Sequence, residues 1–246
     1  MLYRLSTMKV LVDGDIITYR AGFGSKGDYL MAVELVDSYL LEIFDRFGSD
    51  YKIFLSGPHN FRYKVATIQP YKGNRDSSKR PLQYQNVRDY LFDWWGAEIT
   101  IGIEADDAIG LNYDSDSIIV SIDKDFRTIP NIQYYDLVKK ELYFVDEEEA
   151  WFNFYTQMLV GDKSDNIPGV RNPLKAHFAT PPNFTEGSSK ALLGGKSRQE
   201  QHELVCEMFE KHYGKDWQKY FDEIATLLWI QRKDAINHNL LETTNV

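Results

Sequence analysis

The chain has 246 residues, of which 43% are hydrophobic and 26% charged, and its formal net charge is −9. These fractions are ordinary for a folded globular protein, and they exclude disordered, collagen-like and membrane-spanning classes. The single cysteine, Cys206, excludes an internal disulfide framework and a thiolate zinc cluster. Because the N-terminal residues lack the apolar stretch of a signal peptide, we expect a cytoplasmic protein. We also expect a monomer that makes no membrane contact.

Short β-rich runs alternate with helical periodicity in the first part of the chain. The sequence predicts strands at 8–13, 52–55, 99–103, 117–122 and 132–135. It predicts helices at 33–47, at 86–95 and directly after Glu104, and it predicts a turn at Asp13 and Gly14. This alternation is typical of an α/β domain with a mostly parallel sheet.

From residue 147 onward the pattern becomes helical. Helices are predicted over 147–160, 200–212 and 216–231, and the Pro-, Gly-, Ser- and Thr-rich stretch 173–195 predicts a loop with a short helix. The sequence therefore divides into an α/β domain, residues 1–146, and a helical C-terminal region, residues 147–246.

Four short acidic motifs follow predicted strands or helices: DGD, EADD, DKD and GDKSD. In an open α/β sheet, ligands bind beyond the carboxyl ends of the strands, so the first three motifs should converge. The two aspartates of the fourth are spaced i, i+3 and can act together. The nine carboxylates account for the whole formal charge of −9, and they are Asp13, Asp15, Glu104, Asp106, Asp107, Asp123, Asp125, Asp162 and Asp165.

So many anions in one cleft repel each other unless cations are present. Carboxylate oxygens without interleaved His or Cys suit Mg²⁺ or Mn²⁺ rather than zinc. Two such ions about 3.5–4 Å apart are the usual arrangement in nucleases and phosphatases. A single strand-terminal Asp more often caps a helix or forms a turn. The recurrence of four motifs favours a shared two-ion site.

The basic residues are concentrated in one segment. Residues 62–90 contain seven Lys and Arg but only two Asp, a local charge of +5. Within it, YKGNRDSSKRP (71–81) is open to two interpretations. It is either a solvated surface loop or, beside a metal site, a segment that holds a phosphate backbone and stacks a base.

Five motifs also occur in a recognisable order between about residues 8 and 170: VDGD, YKGNR, EADD, SIDKDF and GDKSDNIPGV. In this order they resemble flap endonucleases and 5′→3′ exonucleases, and most of all the phage 5′→3′ exonucleases of replication and recombination. The resemblance implies a PIN-like α/β nuclease core with a basic helical arch, about residues 62–95. It also implies a helix-hairpin-helix (H3TH-like) element for duplex DNA in the C-terminal region.

The implied activity is metal-dependent hydrolysis of DNA phosphodiester bonds at 5′ ends, flaps and junctions. Of the nine carboxylates, all except Asp15 fall on the family's metal-site positions. Lys72 and Arg75 fall on arch residues that contact the scissile phosphate, and Arg20 falls on a basic residue of the helix after VDG. The family also implies a monovalent cation in the H3TH element. The DNA-binding residues that we predict are Tyr71, Arg62, Lys64, Lys79, Arg80, Gly169, Ser188 and Lys190.

For Tyr71 the family position implies base stacking, while core packing stays open as an alternative. For Arg20 the open alternative is a helix-surface ion pair.

The chain departs from the family in two places. Ser56 or Gly57 stands where many relatives have an Asp at the end of the second strand, and Asp15 is the candidate to replace it. Residues 171–186 intervene before GSSKALL, so the duplex-binding element is either interrupted by an insertion or rebuilt.

Two other functions remain open from the sequence. DGD and GDKSD echo the motifs of a haloacid-dehalogenase-type phosphatase, although EADD and DKD would then have no role. The missing second-strand Asp also leaves open a catalytically weak DNA-binding module of the same fold.

Overall fold

The computed structural model describes residues 8–175 and 180–233, which contain six strands and nine α-helices. The strands are Lys9–Asp13 (β1), Tyr51–Leu55 (β2), Glu98–Ile99 (β3), Ser117–Ser121 (β4), Ile132–Asp136 (β5) and Glu141–Val145 (β6). The helices are Gly14–Gly24 (α1), Tyr29–Phe47 (α2), Arg62–Val65 (α3), Tyr84–Asp93 (α4), Ala105–Asn112 (α5), Glu147–Val160 (α6), Glu186–Leu193 (α7), Arg198–Tyr213 (α8) and Trp217–Leu228 (α9). None of the helices in the described residues has both the length and the apolar character to cross a membrane.

The six strands form one sheet in the order β3-β2-β1-β4-β5-β6. All neighbours pair in parallel except β5 and β6, which pair antiparallel. The α/β class with a mostly parallel sheet is therefore confirmed. The strand order reverses at β1, which lies between β2 and β4, and the carboxyl ends beside such a switch point form a ligand-binding crevice.

Helices cover both faces of the sheet. On one face, α1, α2 and α4 pack on β1, β2 and β4 through buried side chains such as Val36 and Leu40. On the other face, Ile109 of α5 and Ala150 of α6 are buried against the sheet. A third apolar core lies among α6, α7, α8 and α9. Since α6 contributes to two cores, it joins the helical C-terminal region to the sheet.

Several element boundaries differ from the sequence predictions. The turn expected at Asp13 and Gly14 is the start of α1, whose first turn Asp13 caps by accepting a hydrogen bond from the Ile16 N–H at 3.1 Å. A Cβ on Gly14 would lie 2.6 Å from the Phe54 carbonyl oxygen, so this helix start requires glycine. Strand β3 ends at Ile99, because the Thr100 hydroxyl bonds to the Ile103 carbonyl at 2.7 Å.

Two further differences lie at the ends of the two halves. Strand β6 was not predicted. It is an edge strand whose alternate residues Leu142 and Phe144 are exposed, so its burial pattern is weak. Helix α9 ends at Leu228 rather than residue 231, because the carbonyls of Leu227 and Trp229 accept hydrogen bonds from the Arg62 guanidinium.

The insertion after Val170 is closed at its base. The Phe184 N–H donates to the Val170 carbonyl at 2.8 Å, and Arg171 forms an antiparallel bridge with Asn183. Residues 176–179 lie outside the described residues. The chain thus returns to its point of departure before α7 begins.

Candidate active site

The acidic motifs that follow β1 and β4 lie close together. The second oxygen of Asp13 accepts a hydrogen bond from the Ser121 hydroxyl at 2.7 Å. Asp123 caps the short 3₁₀ helix that follows β4 by accepting from the Asp125 N–H at 2.9 Å. These aspartates are therefore helix caps and also members of a group at the switch point of the sheet.

The other two motifs reach the same place from a helix start and a loop. Glu104 caps α5 and Asp106 lies in its first turn. Asp162 accepts a hydrogen bond from the Ser164 N–H at 2.6 Å. Its loop packs tightly on the end of α6, where a Cβ on Gly169 would lie 2.2 Å from the Val160 carbonyl oxygen. Gly169 is thus a buried packing residue, and its predicted role in DNA binding is not supported.

Eight of the nine predicted carboxylates interact electrostatically with at least one other, and seven of these form one group once Asp15, which pairs with Arg88, is set apart. Asp106 is repelled by Asp13, Asp123 and Glu104, and Asp123 is repelled by Asp162 and Asp165. We call these residues the carboxylate cluster, which consists of Asp13, Glu104, Asp106, Asp123, Asp125, Asp162 and Asp165.

Burial and mutual repulsion make the cluster reluctant to ionise. Burial, followed by the charge of neighbouring Asp15, raises the pKa of Asp13 to about 7. Burial first, and then repulsion from other members of the cluster, raise the pKa values of Asp106 and Asp125 well above their ordinary range. Burial would also raise the pKa of Asp162, yet hydrogen bonds from Ser164 hold it below its usual value. Full ionisation of the cluster therefore requires positive charge from outside it.

Two predicted basic residues, Lys72 and Arg75, lie against this cluster. Lys72 forms ion pairs with Glu104 and, at 3.6 Å, with Asp165, while Arg75 pairs with Asp165 at 2.6 Å. Burial would lower the pKa of Lys72, but Glu104 and Asp165 raise it. We call these contacts the cleft ion pairs.

The backbone fixes the position of the cleft ion pairs. The Lys72 N–H donates to the Asp165 carbonyl at 2.8 Å, and the Asn74 amide donates to the Lys163 carbonyl at 2.6 Å. The middle of the arch is therefore bound along the loop that carries Asp162 and Asp165.

Tyr71 does not occupy the exposed position that base stacking requires. Its side chain is 3% exposed, and its ring belongs to the C-terminal apolar core. Its hydroxyl lies 2.8 Å from Glu104 Oε2 and 2.6 Å from Asp165 Oδ2. The core-packing alternative is thus supported, and the predicted DNA contact of Tyr71 is not.

Arg62 and Asp107 form a buried ion pair, which we call the clasp; Arg62 Nη1 also lies 3.9 Å from Glu104 Oε2 of the carboxylate cluster. Arg62 Nη1 and Nη2 donate to the two Asp107 oxygens at 2.6 and 2.8 Å. Arg62 also donates to the carbonyls of Leu227 and Trp229, while Asp107 accepts from the Glu104 N–H and the Gln231 N–H. With its oxygens occupied, Asp107 is not placed as a metal ligand, and buried Arg62 is not placed to contact DNA.

Asp15 and Arg20 also have other partners. Asp15 pairs with Arg88 at 2.7 Å and accepts a hydrogen bond from the Ser56 N–H at 3.1 Å. It therefore reaches the end of β2, where the family's Asp was expected, but Arg88 balances its charge. The guanidinium of Arg20 lies 5.0 Å from the ring centre of Tyr39 on α2, in a cation–π contact rather than in the carboxylate cluster.

The remaining predicted DNA contacts lie on the surface. Lys64, Lys79, Arg80 and Lys190 are exposed, and Ser188 shares a capping box with Thr185 at the start of α7. A groove of about 680 Å³ runs along the arch beside the cleft ion pairs. Its lining includes Lys72, Arg75, Lys79, Arg80 and two tyrosines that the sequence analysis did not single out, Tyr19 and Tyr63.

Within residues 8–175 and 180–233, no three His, Cys, Asp or Glu side chains form a ready-made metal-coordination group. The carboxylate oxygens of Glu104 and Asp165 accept hydrogen bonds from Tyr71, Lys72 and Arg75, so they are not arranged around a shared cation position.

Comparison with known proteins agrees with the motif order. No protein-family model matches the chain. The Exonuclease of Escherichia phage T7 is 28% identical over 160 residues, covering 59% of this chain and 53% of that protein. A 5′-3′ exonuclease of Buchnera aphidicola subsp. Schizaphis graminum is 33% identical over 135 residues, covering 48% of this chain and 46% of that protein.

Among solved structures, a crystal structure of the T5 D15 protein with metal ions has a TM-score of 0.49 and 18% identity, covering 89% of this chain and 98% of that one. The chain spans about half the length of the curated relatives that it matches. The sequence relatives are thus a phage protein named exonuclease and a bacterial protein named 5′-3′ exonuclease.

Proposed function

We propose that this protein is a divalent-metal-dependent 5′→3′ nuclease that hydrolyses DNA phosphodiester bonds. One observation carries the proposal: seven carboxylates from four separate motifs meet beside the switch point of the sheet, next to Lys72 and Arg75. The names of the sequence relatives support the same reaction class.

The residues present fit divalent cations in donor type and in charge. The cluster offers hard carboxylate oxygens, which Mg²⁺ and Mn²⁺ prefer. Burial first, and then repulsion between the carboxylates, raise the pKa values of Asp13, Asp106 and Asp125, and bound cations would offset both effects. When bound, two ions supply activation of a water molecule and charge stabilisation of the leaving oxygen. We propose all seven members of the carboxylate cluster as the residues that hold them.

Lys72 and Arg75 have a different task. Both carry positive charge at the edge of the cluster, where a phosphate held there would gain negative charge during hydrolysis. The side chain of Arg75 is 51% exposed, so it can turn from Asp165 to a phosphate. The groove that continues along Lys79 and Arg80 offers charge to neighbouring phosphates of the same strand.

The test is incubation with 5′-labelled blunt, gapped and flap duplexes in Mg²⁺ or Mn²⁺, with EDTA as the metal-free control. We expect metal-dependent release of short products, and their lengths distinguish exonuclease from flap cleavage. Asp106→Asn and Asp123→Asn should abolish cleavage and leave DNA binding nearly unchanged. Each substitution keeps the shape of the side chain, and neither residue contacts the arch.

A binding module without catalysis would retain the duplex and release nothing. Cleavage by both variants within tenfold of the wild-type rate would contradict the metal assignment.

A further inference from the structure

Glu104 and Asp165 share two partners, the Lys72 ammonium and the Tyr71 hydroxyl. Glu104 comes from the start of α5 beside the sheet, whereas Asp165 comes from the loop that follows α6. The Tyr71 hydroxyl lies within hydrogen-bond distance of one oxygen of each, at 2.8 and 2.6 Å. Two elements far apart in the chain therefore meet at this oxygen.

The ring of Tyr71 is held firmly enough to act as a reference point. It is buried in the C-terminal apolar core and packs edge-on against Tyr63, with ring centres 5.5 Å apart. The backbone next to it is fixed by the hydrogen bond from the Lys72 N–H to the Asp165 carbonyl. Neither the ring nor its hydroxyl has freedom to move away from the two carboxylates.

The hydroxyl is protonated at neutral pH, as phenols ordinarily are. Its single O–H can donate to Glu104 or to Asp165 at any one time, while the Lys72 ammonium supplies positive charge between the two carboxylates. Hydrogen-bond partners of this kind orient metal-binding carboxylates, and their loss typically costs about 10- to 100-fold in metal affinity.

We propose that Tyr71 is a positioning residue of the carboxylate cluster, whose hydroxyl sets the placement of Glu104 and Asp165 for divalent-cation binding. This inference rests on the proposed metal site. In this role the hydroxyl acts on metal binding even when no DNA is present. Base stacking would instead use the ring and would require DNA.

The decisive variant is Tyr71→Phe, which removes the hydroxyl and keeps the ring in the core. Mn²⁺ binding is titrated without DNA, by the electron paramagnetic resonance signal of free Mn²⁺, at a temperature where near-ultraviolet circular dichroism shows both proteins folded. We expect the Mn²⁺ dissociation constant to rise by about 10- to 100-fold. The matched control is Tyr63→Phe, because Tyr63 is 59% exposed and only its ring touches Tyr71; its dissociation constant should equal that of the wild type.

A second readout tests the route of the effect. In a Glu104→Gln background, adding Tyr71→Phe should cost less Mn²⁺ affinity than it does in the wild type, because one partner of the hydroxyl has already changed. Full additivity would overturn the positioning role.

The outcomes separate this inference from the proposed function. Wild-type protein that binds no Mn²⁺ would overturn both. Wild-type binding with an equal or lower dissociation constant for Tyr71→Phe would overturn the role of Tyr71 alone, and a lower constant would mean that the hydroxyl competes with the metal.

Discussion

Two sets of ion pairs connect the basic segment to the rest of the molecule. Both join a Lys or Arg to a carboxylate, but they differ in how well the surrounding protein satisfies the charges. In the clasp, the side chains of Arg62 and Asp107 are 4% and 0% exposed, and every contact is to a fixed partner in the protein. In the cleft ion pairs, the side chain of Arg75 is half exposed, and both Lys72 and Arg75 line the groove. The polar groups of the clasp are bonded within the protein, whereas the charged groups of the cleft ion pairs are available to bind a ligand.

This difference shows why charge alone does not identify a functional residue. Asp106 and Asp107 are adjacent, yet only Asp106 faces the carboxylate cluster, because successive helix residues point in directions about 100° apart. Arg62 and Lys72 both belong to the basic segment and both approach Glu104, but Lys72 contacts it directly, whereas Arg62 is bonded to Asp107 and lies 3.9 Å from Glu104. Four predictions follow from the comparison, from the largest expected effect to the smallest.

Breaking the clasp should have the largest effect on stability. Asp107→Asn leaves the buried Arg62 guanidinium without a counter-charge, and we expect the free energy of unfolding to fall by about 3–5 kcal/mol, as measured by urea denaturation. The double variant Arg62→Met/Asp107→Leu should recover much of this loss, since buried ion pairs are often replaced by apolar groups without cost. A stability for Asp107→Asn within about 1 kcal/mol of wild type would show that the pair is not sealed.

Removing the cleft ion pairs should instead affect the rate. We expect Lys72→Ala and Arg75→Ala each to slow the single-turnover rate by about 10²–10³, by analogy with the loss of one donor to a developing charge. Arg75→Ala should change the free energy of unfolding by no more than about 1 kcal/mol, because its pair is exposed.

The control for a lost positive charge is Lys211→Ala, since Lys211 forms an exposed pair with Glu207 on α8. Unchanged rates at saturating enzyme would reduce Lys72 and Arg75 to a docking surface. Binding of DNA by the wild type should weaken as salt is raised, because Lys and Arg neutralise phosphates.

Divalent cations should stabilise the fold through the carboxylate cluster. A ligand that binds only the folded state contributes about 2.7 kcal/mol at 100 times its dissociation constant, so the melting temperature should rise with Mn²⁺ or Mg²⁺. The rise should be smaller in Asp106→Asn and Asp125→Asn, and unchanged in Glu207→Gln on the surface of α8. Ca²⁺ should also stabilise the protein but support little cleavage, because its coordination is looser. Melting curves indifferent to millimolar Mn²⁺ would contradict a shared site.

The smallest effect should appear in the pH dependence without metal. The folded-state pKa of Asp13 is about 7, above the ordinary 3.8, so the unfolded chain binds fewer protons between these values. In EDTA, the stability that this group contributes should therefore fall as pH rises from about 4 to 7, and Asp13→Asn should flatten the profile. The raised pKa values of Asp106 and Asp125 act in the same direction, and the lowered pKa of Asp162 acts only at more acidic pH, so the loss of stability should be gradual across this range. Thermal melts between pH 5 and 8 measure it.

Much of the site was predictable because its residues follow directly from chain order. Asp13 ends one of two neighbouring parallel strands and Asp123 closely follows the other, and a short continuous apolar run followed by Asp identifies such positions without any three-dimensional information. Lys72 and Arg75 were found through the order of motifs. The start of α1 at Gly14 and the edge strand β6 were missed, since a close approach to Phe54 and pairing with β5 are not visible in local sequence.

The sequence by itself determined the α/β class, the four acidic motifs and the concentration of basic charge in one segment, because periodicity and composition are local properties. Only the tertiary structure decided which charges are sealed and which are available. Arg62 reaches the carbonyls of Leu227 and Trp229, more than 160 residues away, and Tyr71 turns its hydroxyl to Glu104 and Asp165. Burial and partner choice depend on packing between distant segments, so no local pattern distinguishes a structural arginine or tyrosine from one that meets a ligand.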